Sequence, residues 1–498
     1  MRLQTKNTAA SVAATVVGIL CGLILPRAIL LHYGTEMNGM LQAVTRFLQF
    51  SVVFDLGLSA VVPAAFYAPL AEKNYPRISA ILSSSYRSFR RIALVLAGYL
   101  LLLVFLFPGM TGNVYPWETS VLLIVCTGIG ILAPYWMGLP ERLLLISDQK
   151  SWISYILSIC VTVLTTAASL LLIRLNASLA AVKLAGSVIT VLSLWFFIVY
   201  VSRHYPVSRH VRYTEEPISQ KWNGVAQHIA HVVLEYTDVM LLTVMMTFRE
   251  VSVYSVYAMV TVSMTHLFGM VTYSVQPKLG ELWAKGEKEA LNRFFSSFES
   301  AVHLATVCLF TCAGVLLVPF IRIYTAGMDD ALYIQPVFSA LMVLAFGFQC
   351  LRYPYEKMIM AAGHFRQTQK SCIIAACLNV GLSIIFVKLW GIAGVAAGTL
   401  AAMIYQTGYM AWYDSRVLLH RSLKQTLCQL AVDLVISGLI LAASRLIRLQ
   451  PQDFLSWLGL AAAVTAMGAG ITAAVGFLTC KKTLFLAGLP RRKEKSGR

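Results

Sequence analysis

Apolar stretches of about twenty residues, each enough to cross a hydrocarbon core ~30 Å thick as a helix, follow one another along the whole chain. Short links rich in charge, Gly and Pro part them. The pattern predicts about fourteen membrane spans, near residues 8–31, 37–70, 92–108, 119–146, 153–173, 178–201, 223–247, 251–276, 294–322, 332–362, 371–388, 392–413, 426–447 and 455–479. A chain of this kind is an all-α, polytopic membrane protein, because a helix satisfies its own backbone polar groups in lipid.

Polar residues interrupt some spans at helical spacing. In LQAVTRFLQFSVVFDLGL, Gln42, Arg46 and Gln49 (i, i+4, i+7) share one face, and Asp55 points to the opposite side near the cytoplasmic end. A charge at the bilayer centre costs ~3 kcal/mol on insertion scales, so Arg46 needs a partner or water. Two readings stand: an interhelical hydrogen bond, or the wall of an aqueous cavity, and the second is preferred. In WNGVAQHIAHVVLEYTDVM, the residues His228, His231, Glu235 and Asp238 fall at i, i+3, i+7 and i+10. They lie within an arc of about 80°. HxxH with Glu235 suggests zinc, but HExxH is absent and no metal is expected. Local ion pairing and a proton or sodium coupling site remain, with Asp55 a further coupling candidate. Tyr254, Thr261, Thr265, Thr272 and Gln276 give the next span one mildly polar face, suited to hydroxylated ligands or to helix packing. Arg27, after Pro26, and Lys183 complete the candidate cavity residues.

Of the 498 residues, 58% are hydrophobic and 12% charged, about half the charged fraction of a soluble protein. The net charge is +18. Its placement predicts topology and no nucleic-acid partner. With the N-terminus cytoplasmic, 31 of the 40 Lys and Arg residues collect on that side, Arg352 and Lys357 among them. The positive-inside rule then places both termini in the cytoplasm. The first apolar stretch runs into Pro26 and Arg27 without a small-residue cleavage site, so it is expected to be retained. The ten cysteines form no CxxC and read as packed hydrophobes. No P-loop occurs; Gly128, Gly130 and Ala133 fit a loose GxGxxA but lie inside a span. No link is long enough for a catalytic domain. No cofactor is expected beyond a coupling proton or sodium ion, and an enzymatic role, such as a polymerase or ligase, is the weakest reading.

The chain also repeats itself. PAAFYAPLAEKN from Pro63 matches PKLGELWAKGEK from Pro277, an offset of 214. PERLLL matches YEKMIM, with Glu141 and Glu356 215 apart, and LLIRLNASLAA matches IFVKLWGIAGV at 214. The division expected is a six-span lobe over 1–215, a second over 216–415, two appended spans over 416–480 and a basic cytoplasmic tail over 481–498. Six is even, so the lobes share one orientation and are related by an axis along the membrane normal.

Several passages carry a family likeness. YGTEMNGMLQAVTRFLQFSVVFDLGLSA resembles the second-span signature of the polysaccharide, O-antigen and capsule flippases (Wzx-type), within the multidrug/oligosaccharidyl-lipid/polysaccharide exporter superfamily. YTDVMLLTVMMTFREVSVYSVYAMV, QPKLGELWAKGEKEAL and GHFRQTQKSCIIAACLNVGLSIIFVKLWGIAGVAAGT are similar too. The last, with Asn379 and the turn of Gly391, Gly394 and Gly398, is the most specific. The resemblance implies a bacterial cytoplasmic-membrane flippase. It would carry a polyprenyl-pyrophosphate-linked oligosaccharide to the outer leaflet by alternating access, among membrane lipids and alongside other polysaccharide-assembly proteins. A drug or cation antiporter of the same superfamily is the alternative, with Glu235 and Asp238 as its cation site.

Overall fold

The computed structural model describes residues 2–213, 216–218, 225–447 and 449–487. The helices run α1 (Arg2–Phe50), α2 (Leu58–Ala71), α3 (Tyr75–Met110), α4 (Trp117–Trp136), α5 (Leu139–Ser147), α6 (Ser151–Arg174), α7 (Leu179–His204) and α8 (Val225–Met245). They continue as α9 (Phe248–Tyr273), α10 (Gln276–Ala284), α11 (Lys288–Tyr324), α12 (Pro336–Ala362), α13 (Phe365–Trp390), α14 (Ile392–Tyr413), α15 (Lys424–Ser444) and α16 (Phe454–Ala487). No strand occurs among the described residues. The all-α, multi-pass reading holds. Leu94, Leu101, Phe105, Leu171, Leu434 and Leu455 are all exposed, an outward apolar surface that belongs in lipid.

Twelve helical segments among the described residues are long and apolar enough to cross a membrane. Two features account for the difference from fourteen. α1 holds two helical stretches that meet at Gly34, where φ is 82° and ψ 170°, a conformation glycine adopts without a Cβ penalty. α14 carries Tyr405, Gln406, Thr407 and Tyr409, which dilute its apolar character.

Local chemistry explains the breaks. After Gly34 the helix restarts at Thr35, whose N–H donates to Asp330 Oδ2 at 2.8 Å and whose hydroxyl donates to Oδ1 at 2.5 Å. The carboxylate of Asp330 thus serves as the N-cap of the second stretch. Partial burial works against its charge, but the two Thr35 bonds and nearby Arg249 hold it below its ordinary range. The expected span 37–70 is likewise two elements. A 3-10 turn at Ser51–Asp55 and a left-handed Gly57 separate α1 from α2. Asp55 accepts the backbone N–H of Ser59 at 3.3 Å and caps α2.

Helix starts recur at the repeat spacing: α6 and α13 begin 214 residues apart, and α3 and α11, like α7 and α14, 213 apart. Clustering divides the chain into two compact units. One comprises Met1–Ser263, Gly327–Leu332 and Phe365–Thr399, the other Met264–Ala326, Tyr333–His364 and Leu400–Arg498. In the first, α2, α3, α5 and α7 share a core that includes Phe66, Ile81, Phe89, Leu144 and Val201. There Glu141 accepts from Arg209 Nε at 2.8 Å and from the Tyr86 hydroxyl at 2.5 Å. In the second, α15 and α16 pack on α11 through Ile436, Ile440, Val464 and Leu316. Here Arg421 grips Glu299 with both terminal nitrogens, at 2.6 and 2.7 Å. Tyr355 donates to Glu299 at 2.8 Å, and His303 Nδ1 lies 2.6 Å from Asp433.

Candidate functional site

A buried carboxylate is the centre of the site. Asp238, on α8, is 6% exposed. Its Oδ2 accepts from the Tyr254 hydroxyl of α9 at 2.9 Å and from the Thr399 hydroxyl of α14 at 2.7 Å. Its Oδ1 accepts from Asn379 Nδ2 of α13 at 3.3 Å. Asn379 also donates to Thr399 at 3.0 Å, and its Oδ1 accepts from Thr237 at 3.3 Å. Three helices therefore aim two hydroxyls and one amide at a single carboxylate on a fourth. Among the described residues no Lys, Arg or His pairs with it directly. A buried charge met only by neutral donors is costly in hydrocarbon surroundings.

Glycines set this geometry. Gly391 ends α13 at φ 57°. A Cβ on Gly394 would stand 2.0 Å from the Phe386 carbonyl oxygen, and one on Gly398 2.3 Å from Ser383 Oγ. The bare backbones let α14 lie directly on α13, which brings Thr399 beside Asn379.

Arg46 is the second element. It sits half-buried on the second stretch of α1, between half-buried Gln42 and Gln49. Its Nη1 donates to Gln49 Oε1 at 3.3 Å, and its guanidinium lies 6.0 Å from the Tyr236 ring. It pairs with no carboxylate at ion-pair distance among the described residues, yet its charge is felt at Asp238.

The other expected residues scatter. Glu235 is half-buried and His231 exposed, so the stripe on α8 does not converge as one set of ligands. His228 Nε2 lies 3.0 Å from the carbonyl oxygen of Val52, near Asp55. Tyr254, expected on a cavity wall, is buried and donates to Asp238. Thr261 is buried and bonds back to its own helix. The carbonyl of Thr265, also buried, accepts from Tyr353 at 3.4 Å. Gln276 opens α10, past the end of α9. Arg27 on α1 and Lys183 in the first turns of α7 are half-buried. No group of three or more His, Cys, Asp or Glu suited to a metal occurs among the described residues.

Arg352 and Lys357, counted on the cytoplasmic side, are buried within α12. Lys357 Nζ lies 3.6 Å from the Tyr273 ring centre and 2.9 Å from Glu356, and Arg352 reaches Gln406 and Glu356. Lys221 and the end of the basic tail, 488–498, lie outside the described residues.

The architecture defines a class: a multi-pass, duplicated helical bundle with an isolated carboxylate and an arginine within its spans. No family model matches the chain. Its structure is similar to the lipid II flippase MurJ in an inward closed conformation, with a TM-score of 0.67 and 16% identity over 93% of this chain and 98% of that one. It is similar to the eukaryotic MATE transporter AtDTX14, with a TM-score of 0.62 and 12% identity over 86% and 98%. An inward-facing multidrug resistance MATE transporter of the MOP superfamily gives 0.59 and 14% over 79% and 94%. In sequence, an uncharacterized membrane protein of Methanocaldococcus jannaschii is 25% identical over 197 residues. That match spans 39% of this chain and 38% of that relative. The fold is the one shared by MurJ and the MATE transporters.

Proposed function

We propose that the chain is a flippase that carries a polyprenyl-pyrophosphate-linked oligosaccharide from the inner to the outer leaflet, for export of a cell-surface polysaccharide, by alternating access. The observation that supports this reading is the state of Arg46. A guanidinium kept within a membrane helix, flanked by two glutamines and bound to no carboxylate among the described residues, offers a planar fork to an anionic headgroup. The similarity to a lipid II flippase agrees with such a cargo. The Asp238 cluster supports the second part of the proposal, coupling to a proton or a sodium ion. Asp238, Asn379, Thr399 and Tyr254 present hard oxygen donors around one net negative charge, the chemistry a small hard cation prefers. The same cluster favours the runner-up, a drug or cation antiporter. The distribution of basic residues supports a cytoplasmic placement of both termini, and the resemblance to polysaccharide flippases supports a bacterial cytoplasmic membrane.

Deletion of the gene should cause a lipid-linked oligosaccharide to accumulate on the inner leaflet. Arg46→Ala should lower its transport by ~100-fold or more in reconstituted vesicles, with protein levels unchanged. Arg46→Ala protein that is scarce but transports normally per molecule would make Arg46 a packing residue. Cysteines placed at Gly112 or Asp329 should react with an impermeant thiol reagent from outside, and those at Ser208 or Gly286 should not. The reverse pattern overturns the orientation.

A further inference from the structure

Asn38 Nδ2 donates to Ser252 Oγ at 2.7 Å, and the two residues are 214 positions apart. That is the repeat spacing: they are each other's mates in the duplication. Points related by a twofold axis are separated by twice their distance from it. A hydrogen bond between mates therefore places the axis of the duplication between these two side chains. Both are buried, at 1% and 0% exposure. Beside them a Cβ on Gly39 would stand 1.7 Å from the Phe248 carbonyl oxygen, so the two backbones touch with no room for a methyl group. Phe248 is flanked by Phe107 and Tyr115, and Glu36 lies 3.6 Å from Arg249. The contact lies at the end of the bundle away from the N-terminus, since α1 runs for about 50 Å before Gly34.

We propose that Asn38 and Ser252, with Gly39 seated on Phe248, form the closure on the side opposite the termini, and that this contact parts each time cargo leaves on that side. The inference rests on the transport reading above. Three features suit a contact that opens and recloses. Its buried part is held by one neutral hydrogen bond between short side chains, and the Glu36–Arg249 pair beside it is open to solvent. It lies on the symmetry axis, where movement of both repeat halves converges. Asn38 Oδ1 has no hydrogen-bond partner among the described residues, so the closed form leaves a buried acceptor that entering water satisfies.

The test uses the full chain with its other cysteines replaced, carrying N38C and S252C. Oxidation should give a disulfide-linked peptide joining the two positions, lower transport about tenfold or more, and be reversed by reductant. A separate reporter, S255C, lies one turn deeper on α9. Gly39→Leu should raise its labelling by an impermeant thiol reagent, added on the side opposite the termini, about tenfold. Asn38→Ala, a milder change, should raise it several-fold. Failure to form the link, or a link that leaves transport at the unmodified rate, overturns the closure. So does reporter labelling that stays unchanged in both variants. A chain that moves no lipid-linked oligosaccharide even when reduced defeats the transport reading, and the labelling arm still decides the closure.

Discussion

The second half of the chain gathers Asp238, Tyr254, Asn379 and Thr399 into one polar cluster; the first half, built to the same plan, does not. The positions 214 residues earlier are Ile24, Met40 and Thr165, and Gly186 stands 213 before Thr399, the offset between α7 and α14. Ile24 is exposed, Met40 is fully buried, and the Thr165 hydroxyl is buried without a partner among the described residues. One copy of the bundle thus closes with almost no polar contact at the place where the other spends a carboxylate. Packing alone does not require the cluster. The coupling role proposed for Asp238 rests on that asymmetry.

The sharpest way to break the comparison is Asp238→Asn. The amide keeps the shape and can still accept from Thr399 and Tyr254, but it removes the charge. Transport driven by an imposed proton or sodium gradient in reconstituted vesicles should fall by ~100-fold, with cargo binding retained. Full gradient dependence in this variant would move the coupling site elsewhere, with Glu235 the next carboxylate to replace. Next in size is the glycine contact. Gly398→Leu forces a side chain into Ser383 and should cost about 3 kcal/mol or more through overpacking. Its mate at the α7–α14 offset of 213 is Ala185, half-buried, and Ala185→Gly should cost only about 1 kcal/mol through helix propensity. Unfolding in detergent compares the two, and equal losses would mean the halves pack alike. The smallest effect separates Asn379→Ala from Thr165→Ala. The first strips partners from Asp238, Thr237 and Thr399 and should cost about 1–2 kcal/mol. The second removes an unpaired hydroxyl and should stay within about 0.5 kcal/mol.

Much of the fold was legible because apolar runs and a repeat offset depend on composition and spacing alone. Asp238 was legible as well, since an acid within a span is rare. Asn379 stood out only within a motif. Thr399 was missed, because a lone threonine in a span is ordinary and only the glycine contact turns it toward Asp238. The differing burial along the α8 stripe was hidden for a related reason: a helical wheel gives angles between residues, not which face meets protein. His231 shares an arc with Asp238 yet is exposed. The 3-10 turn at Ser51–Asp55 has no hydropathy signature, so 37–70 read as one span. The burial of Lys357 was not legible, because Tyr273, which faces it, is far along the chain.

The lengths of α3 and α11 have a consequence for depth. At 36 and 37 residues each is about 55 Å long, well beyond a hydrocarbon layer of ~30 Å. Each therefore has about 25 Å to accommodate by tilt or by extension beyond the layer, and each carries a proline, Pro108 in α3 and Pro319 in α11, in or near its last turn. A change of membrane thickness is met first by the tilt of these two helices.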